Sequence, residues 1–194
     1  AFKSEKQVFD ELHEIVKELG ALVSEEELLK GLSKDPLTQN HVHFYLVLGD
    51  EFNKHKEDEH FSSRWTTDTD VADLVHDALK NLYASLSDDE LYSENEIIAK
   101  FLEHLKGLSD EYRNEEIARR WLGLSKTIGK NPLGEWGKTE SSNVKTRGIK
   151  DYAFLIMRKH GSPMHFRDVA KSICDTFGKK THVATCHNEL IKDP

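Results

Sequence analysis

A repeated spacing constrains the fold of this chain more than any other feature. Gly20 and Gly161 each end a stretch with helical apolar periodicity, and a His-Val pair begins 21 positions after each glycine, at His41 and His182. Each interval holds one short amphipathic segment. Self-similarity of this kind is typical of tandem modules. We therefore expect one small structural unit to occur more than once, with a further copy in the middle of the chain.

The elements of the unit follow from capping and breaking signals. The segment SEEELL, from Ser24, and the segment SENEII, from Ser93, share the spacing of a capping box, which starts a helix. Asn114 has the same role before a third helical stripe. The stretch QNHVHFYLVLGDEF, residues 39–52, fits a strand by its alternation and a helix by its place in the repeat. Polar or Gly-rich turns in residues 53–67 and 131–143 predict hairpins.

Helix, short helix, helix and hairpin is the plan of a winged helix, a variant of the helix-turn-helix. The predicted fold class is therefore mainly α with small β-hairpin wings, in tandem winged-helix modules. We predict module 1 at residues 1–69, module 2 at residues 70–146 and module 3 at residues 147–194. Each module is long enough to bury a small core.

Charge is distributed unevenly along the chain. The formal net charge is −8, but residues 1–75 hold 8 Lys and Arg against 17 Asp and Glu, and residues 145–194 hold 10 against 5. A protein that binds a polyanion along its whole length would be basic throughout. The asymmetry indicates different partners for the two ends, with module 1 as an acidic contact for a protein.

The third module carries a family resemblance. Residues 149–173, IKDYAFLIMRKHGSPMHFRDVAKSI, have an apolar helix, a Gly-x-Pro break and a second helix of defined pattern. The positions that carry the pattern are Gly161, Pro163, His165, Phe166, Val169 and Ala170. Residues 147–194, about a quarter of the chain, resemble the HARE-type helix-turn-helix family. The resemblance implies a winged helix like those of chromatin proteins, restriction enzymes and the delta subunit of bacterial RNA polymerase.

Two further points belong to this resemblance. Residues 124–137, LSKTIGKNPLGEWG, are similar to the segment that precedes the module in bacterial proteins that pair it with sigma-factor-like helix-turn-helix elements. In the family the module continues past the position of NELIKDP into wing strands. The sequence ends at Pro194 and begins at Ala1 without a Met, as a fragment would, so we expect module 3 to lack its wing.

Candidate DNA-binding residues are polar side chains on or beside the third helix of a module, where base edges and phosphates are contacted. In module 3 these are Lys179, Lys180, Thr181, His182, Thr185 and Asn188. In module 2 they are Arg119, Arg120, Lys126, Lys130 and Lys138, with Trp136 in the wing. Module 1 offers only Lys54, Lys56 and Arg64, among acidic residues. The alternative for each set is a solvated helix face, with Trp136 packed inside; Trp65 and Trp121 fit core positions better than stacking platforms.

Other chemistries lack their sequence signals. The eleven His and two Cys show no Cys-x-x-Cys and no zinc-finger spacing, so we expect no metal site and no cofactor. Nucleophile, phosphate-loop and metalloprotease motifs are absent, so neither an enzyme nor a small-molecule substrate is expected. No apolar run approaches about 18 residues, which excludes a membrane span from the prediction. No leader sequence is recognisable, and two cysteines without a framework indicate a reducing cytoplasm.

These features predict a DNA-binding transcription regulator or an RNA polymerase-associated factor built of tandem winged helices. Its partners would be double-stranded DNA, through modules 2 and 3, and RNA polymerase or another transcription protein, through module 1. Its location would be the cytoplasm, in association with the nucleoid. The alternative is a protein-interaction scaffold of the transcription machinery without direct DNA contact, which the net charge of −8 favours.

Overall fold

The computed structural model describes residues 5–192, and it is mainly helical with small antiparallel sheets of two or three strands. Nine α-helices and five short strands lie in this range. At this level the predicted fold class is confirmed. Within the same residues, none of the helices combines the length and the apolar composition that crossing a bilayer requires.

The first part of the chain forms three helices and a three-stranded sheet. In chain order these are α1 (Glu5–Glu18), β1 (Leu22–Ser24), α2 (Glu25–Leu32), α3 (Pro36–Leu48), β2 (Asn53–His55) and β3 (Arg64–Thr66). The strand order is β1-β3-β2, with antiparallel pairing throughout. In this register Trp65 lies between Val23 and Lys54. The hairpin predicted after residue 52 is therefore present.

Local side-chain bonds set the starts of α2 and α3. The Ser24 hydroxyl accepts a hydrogen bond from the Glu27 N–H at 3.0 Å, as the capping box predicts. The Asp35 carboxylate accepts from the Thr38 N–H at 2.9 Å, and Pro36 occupies the first turn of α3, where a missing N–H costs nothing. In the structure, residues 39–48 belong to helix α3 and residues 49–52 form a turn, so the alternating stretch is a helix and not a strand.

The core of this part lies between the helices and one face of the sheet. Its buried members are Leu12, Val16, Val23, Leu28, Leu46, Phe52 and Trp65. On α1, Leu12 and Val16 are four residues apart and lie on one helical face. The sequence periodicity of α1 therefore corresponds to the face that packs inward.

The middle of the chain, residues 69–138, contains three α-helices followed by a hairpin, with no strand between the first two helices. It contains α4 (Thr69–Ser85), α5 (Glu94–His104), a 3₁₀ turn (Asp110–Tyr112), α6 (Glu115–Leu122), β4 (Ile128–Lys130) and β5 (Trp136–Lys138). The Asn114 side chain caps α6 by accepting from the Ile117 N–H at 3.0 Å. β4 and β5 form a two-stranded sheet, and Tyr92 pairs with Trp136 through an isolated antiparallel bridge.

The chain divides into two compact units. The first contains Ala1–Leu86 and Asn95–Gly129, and the second contains Ser87–Glu94 and Lys130–Pro194. Inside the first unit, α6 packs against β1, and the Trp121 indole donates a hydrogen bond to the Leu22 carbonyl at 3.1 Å. The limits of the units differ from the predicted module boundaries after residues 69 and 146, so the division into three modules stays a prediction.

Gly20 occupies a position that only glycine fits. Its φ is +104°, and an added Cβ would lie 2.6 Å from Ile117 Cγ2 and 3.2 Å from the Trp121 ring. We expect Gly20→Ala to lower the free energy of unfolding by about 2 kcal/mol or more, because the left-handed backbone and the clash both cost energy. Urea unfolding followed by circular dichroism measures this. Gly31→Ala is the control, since Gly31 lies in α2 with nothing within 4 Å of an added Cβ. This variant should not lower the free energy of unfolding. Equal losses of stability in the two variants would contradict the explanation given for Gly20.

The last part of the chain is a three-helix cluster inside the second unit. Its helices are α7 (Ile149–His160), α8 (Phe166–Phe177) and α9 (Val183–Ile191). Their shared core contains Ala153, Ile156, Val169, Ala170, Ile173 and Cys186. The predicted Gly-Ser-Pro break separates α7 from α8, and α7 ends at Gly161 in a left-handed conformation. Burial also raises the pKa of the Cys186 thiol.

Candidate nucleic-acid interface

Helix α9 packs into the protein through Cys186 and has another side exposed to solvent. Cys186 is fully buried in the three-helix core and fixes α9 there. His182, at the N-cap, and Thr185 and Asn188 follow one another at intervals of three and are all exposed. Residues three or four apart share a helical face. The structure therefore brings three of the predicted module 3 residues to one side of α9.

The segment before α9 positions the other three. The Lys179 ammonium lies 4.3 Å from the centroid of the Tyr152 ring, a cation–π contact. The Thr181 hydroxyl donates to the Lys179 carbonyl at 3.1 Å. Lys180 is exposed, and no hydrogen bond or ion pair of its side chain is found within residues 5–192. Together with the positive end of the α9 dipole, these lysines make the start of α9 locally electropositive.

Helix α9 itself carries few acidic residues. α9 contains a single carboxylate, Glu189, whose Oε1 is 2.9 Å from the Lys192 ammonium. The start of α9 has no acidic residue in its first turn. An anion approaching Lys179, Lys180 and the α9 N-terminus therefore meets no carboxylate on that turn.

The cations predicted for module 2 differ from Lys179 and Lys180, because four of them form ion pairs with carboxylates. Arg120 contacts Glu27 at 2.7 Å and Glu116 at 2.8 Å. Lys126 contacts Glu57 at 2.7 Å, Lys138 contacts Asp88 at 2.6 Å, and Lys130 pairs with Glu94. Arg119 is exposed on α6. Each exposed pair is weak, at about 0–1 kcal/mol, but a phosphate would have to displace the carboxylate first.

Trp136 is not available as a stacking platform in this structure. Its side chain is 5% exposed, on β5, and the Lys130 ammonium lies 4.8 Å from its ring centroid. The position of Trp136 therefore agrees with the alternative interpretation of this residue, which was a side chain packed in the interior. Trp65 and Trp121 are also buried, as expected from their core positions. The chain is closely packed beside Trp136, since an added Cβ at Gly137 would lie 3.0 Å from Val144 Cγ2.

Two of the three cations predicted for module 1 are also paired or buried, whereas Lys56 is exposed. Lys54 pairs with Glu25 at 2.6 Å, and Arg64 is 4% exposed. No pattern in the sequence indicated that Arg64 would be internal. Its Nε donates to Nε2 of His76 at 2.6 Å, and its Nη1 donates to the Ser62 carbonyl at 3.0 Å. Arg64 is therefore a structural residue of the hairpin base.

Two histidines complete this buried cluster. The rings of His55 and His76 are 5.2 Å apart between centroids, and the His76 ring is 4.8 Å from that of Phe61. Burial, with the nearby Arg64 guanidinium, lowers the pKa of His76 to about 4 and also lowers the pKa of His55. His76 is thus neutral near pH 7, with Nε2 as the acceptor for Arg64. Residues 5–192 contain no group of three or more His, Cys, Asp or Glu side chains placed to hold a metal ion.

Comparison with known proteins adds no relative. No protein-family model matches the sequence, and neither the curated proteins nor the solved structures include a match. The arrangement of side chains described above is therefore the basis for any functional assignment.

Proposed function

We propose that this chain is a DNA-binding transcription regulator or RNA polymerase-associated factor, built of tandem winged helices, that contacts double-stranded DNA through α9. The observation that carries the proposal is the polar, exposed side of α9 with Lys179 and Lys180 at its start. Nucleoid association would follow from DNA binding.

The connectivity of the chain supports the winged-helix part of the proposal. Helix, strand, helix, helix and hairpin occur in this order from α1 to β3, with the sheet order β1-β3-β2. From α4 to β5 the order recurs, with Tyr92 in the place of the first strand, because it pairs with β5 as β1 pairs with β3. The cluster α7–α8–α9 has the three helices, and its resemblance to HARE-type modules points the same way.

The chemistry of α9 fits a groove-binding helix. Thr185 and Asn188 can donate and accept hydrogen bonds at base edges, and Lys179 and Lys180 can neutralise phosphates beside the helix N-terminus. Phosphate contacts of this kind supply most of the non-specific affinity of DNA-binding proteins. Because four of the five module 2 cations are paired with carboxylates, we assign the main contact to α9 and its lysines.

Reversing charge at the start of α9 should weaken DNA binding. We expect Lys179→Glu/Lys180→Glu to lower affinity for a labelled duplex of about 30 base pairs by about tenfold or more at low salt. The slope of log K against log salt should fall by about 2, one unit for each lost phosphate contact. Fluorescence anisotropy over a salt series measures both quantities, and circular dichroism checks that α9 remains folded.

Two control variants make this test specific. Lys159→Glu/Lys171→Glu makes the same change in net charge on exposed positions of α7 and α8, and it should leave most of the affinity. Arg119→Ala/Arg120→Ala should change binding by less than about twofold, since Arg120 already pairs with Glu27 and Glu116. Equal losses in Lys179→Glu/Lys180→Glu and Lys159→Glu/Lys171→Glu would show that net charge, and not the α9 surface, determines binding.

The second candidate function is a protein-interaction scaffold of the transcription machinery without DNA contact. It is favoured by the four carboxylate-paired cations of module 2 and by the net charge of −8. Salt separates the two candidates: if the unmodified chain fails to bind the duplex even at low salt, DNA binding is wrong for this chain and the scaffold remains.

A further inference from the structure

Helix α3 exposes a stripe of large apolar side chains. Leu37, Phe44, Val47 and Leu48 are between 55% and 63% exposed. Phe44 follows Leu37 by seven residues, and Val47 and Leu48 follow Phe44 by three and four residues, which places all of them along one side of the helix. Phe44, Val47 and Leu48 adjoin one another on the last turns of α3, and the exposed Asn40 and His41 separate them from Leu37. Single apolar side chains on a surface are ordinary, but a group of neighbouring ones on one helix marks an interaction site.

The opposite side of α3 is already used by the core. Leu46 is fully buried, and Val42 and Tyr45 pack against the same cluster. The helix is therefore apolar on two sides, and one of them is sufficient to hold it in the fold. The exposed stripe is an additional feature that the stability of this part does not require.

The composition of α3 excludes a polyanion as its partner. Its sequence, PLTQNHVHFYLVL, contains no Lys or Arg, although α3 is the third helix of its module and occupies the position of a DNA-reading helix in the proposed fold. Residues 1–75, which contain α3, carry more than twice as many acidic as basic residues. Nucleic acid would be repelled here, whereas a cationic partner would be attracted.

An acidic groove continues from the end of the stripe. Its volume is ≈ 440 Å³, and its apolar lining comes from Phe9, Leu48 and Phe52. The groove is also lined by one ammonium group, that of Lys6, and by four carboxylates, so its charged lining is acidic on balance; the carboxylates are those of Glu5, Asp10, Asp50 and Glu51. No ion pair to any of the four is found within residues 5–192. Leu48 belongs to both features, so the apolar stripe and the acidic groove form one surface, which we call the α3 surface.

We propose that the α3 surface docks a basic amphipathic helix of a partner protein. Apolar side chains of that helix would lie along Leu37, Phe44 and Val47, and its Lys or Arg residues would reach the carboxylates beside Leu48. The stripe spans residues 37–48, so a segment of about three helical turns covers it. Helix-in-groove recognition uses apolar anchors at i, i+3 or i+4, and i+7, with charge setting orientation. The proposal names the class of partner for the acidic module, and it stands whether or not α9 binds DNA.

The test uses a defined probe. The probe is a fluorescein-labelled peptide of about 14 residues, made of Leu and Lys with Leu at helical intervals of three and four. A second peptide has Glu in place of every Lys, and a third has the Lys-Leu composition in scrambled order. We expect the first peptide to bind the full chain and the other two to bind at least about tenfold more weakly.

Variants then locate the binding. Phe44→Gln/Val47→Gln removes the centre of the stripe without touching the core, and it should weaken the first peptide by about tenfold or more. Phe154→Gln/Ile191→Gln is the matched control, because both side chains are exposed and apolar but lie on α7 and α9; binding should be unchanged. Asp50→Asn/Glu51→Gln should weaken binding of the first peptide mainly at low salt, since it removes two negative charges at the edge of the proposed interface.

Three results would overturn the proposal. The first is equal binding by the Lys and Glu peptides, and the second is unchanged binding after Phe44→Gln/Val47→Gln. The third is a dimer in sedimentation velocity that dissociates in that variant, because the stripe would then be covered by a second copy of the chain. DNA binding by the Phe44→Gln/Val47→Gln variant is measured in parallel, so that failure of the docking proposal is separable from failure of the DNA proposal.

Discussion

Trp121→Ala will lower the free energy of unfolding by about 3–5 kcal/mol, the loss typical of a large aromatic removed from a core. The Trp121 side chain is fully buried on α6, and its Nε1 donates to the Leu22 carbonyl at 3.1 Å. Its ring centroid lies 6.5 Å from that of Phe101 and 6.4 Å from that of Tyr112. Alanine leaves a cavity beside these rings and an unpaired carbonyl on β1. Urea unfolding, followed by circular dichroism, gives the difference.

Two comparisons test the cause of this loss. Trp121→Phe keeps most of the volume and removes the indole donor, so it should cost clearly less than the alanine variant. Phe154→Ala removes an aromatic ring from a partly exposed position on α7 and should cost at most about 0.5 kcal/mol. A loss below about 1 kcal/mol for Trp121→Ala would mean that α6 is not packed against β1 in solution.

Acidification will remove up to about 3 kcal/mol of stability through His76 as the pH falls from 6.5 to about 4. The His76 ring binds a proton more weakly in the folded state than in the unfolded chain, since burial and the positive charge of Arg64 both oppose a positive charge on the ring. His76 therefore contributes its full stability above pH 6.5 and loses it progressively down to the folded-state pKa. Protonation would also remove the acceptor for the Arg64 Nε–H. Unfolding by urea at a series of pH values measures the effect.

A neutral variant isolates the contribution of His76. His76→Gln keeps an acceptor in reach of Arg64 but cannot be protonated, so its stability should depend less on pH in this window. His41→Gln is the control, since His41 is exposed on α3, and its profile should follow that of the unmodified chain. Parallel profiles for His76→Gln and the unmodified chain would contradict the assignment. The His76 ring protons, followed by NMR, should titrate with a midpoint near 4.

Much of the secondary structure was predictable because its signals are local. The Ser24 and Asn114 caps and the break at Gly161 each act within one helical turn, and the structure has a helix boundary at each. The hairpins after residue 52 and around Gly134 were predicted from turn composition. Residues 39–52 were ambiguous because α3 carries apolar residues on two sides, which imitates the alternation of a strand.

It was less predictable which candidate DNA-binding residues form ion pairs or are buried. Lysines and arginines of module 2 form one basic set in the sequence, yet their carboxylate partners are distant along the chain. Arg120 and Glu27 are 93 positions apart, and Lys126 and Glu57 are 69 positions apart. No pattern within a helix reveals such a partner. The same holds for Arg64, whose burial depends on His76 of a later helix.

The sequence by itself determined the mainly helical fold, the positions of most helices and hairpins, and the opposite charges of the two ends. Periodicity, caps and composition act over a few residues or over whole segments, so they can be recognised in the sequence without a structure. Only the tertiary structure decided which charges are paired, that Arg64 and Trp136 are internal, and that α3 keeps an apolar stripe in solvent. Those outcomes depend on which surfaces meet, and contacts between residues far apart in the chain decide that.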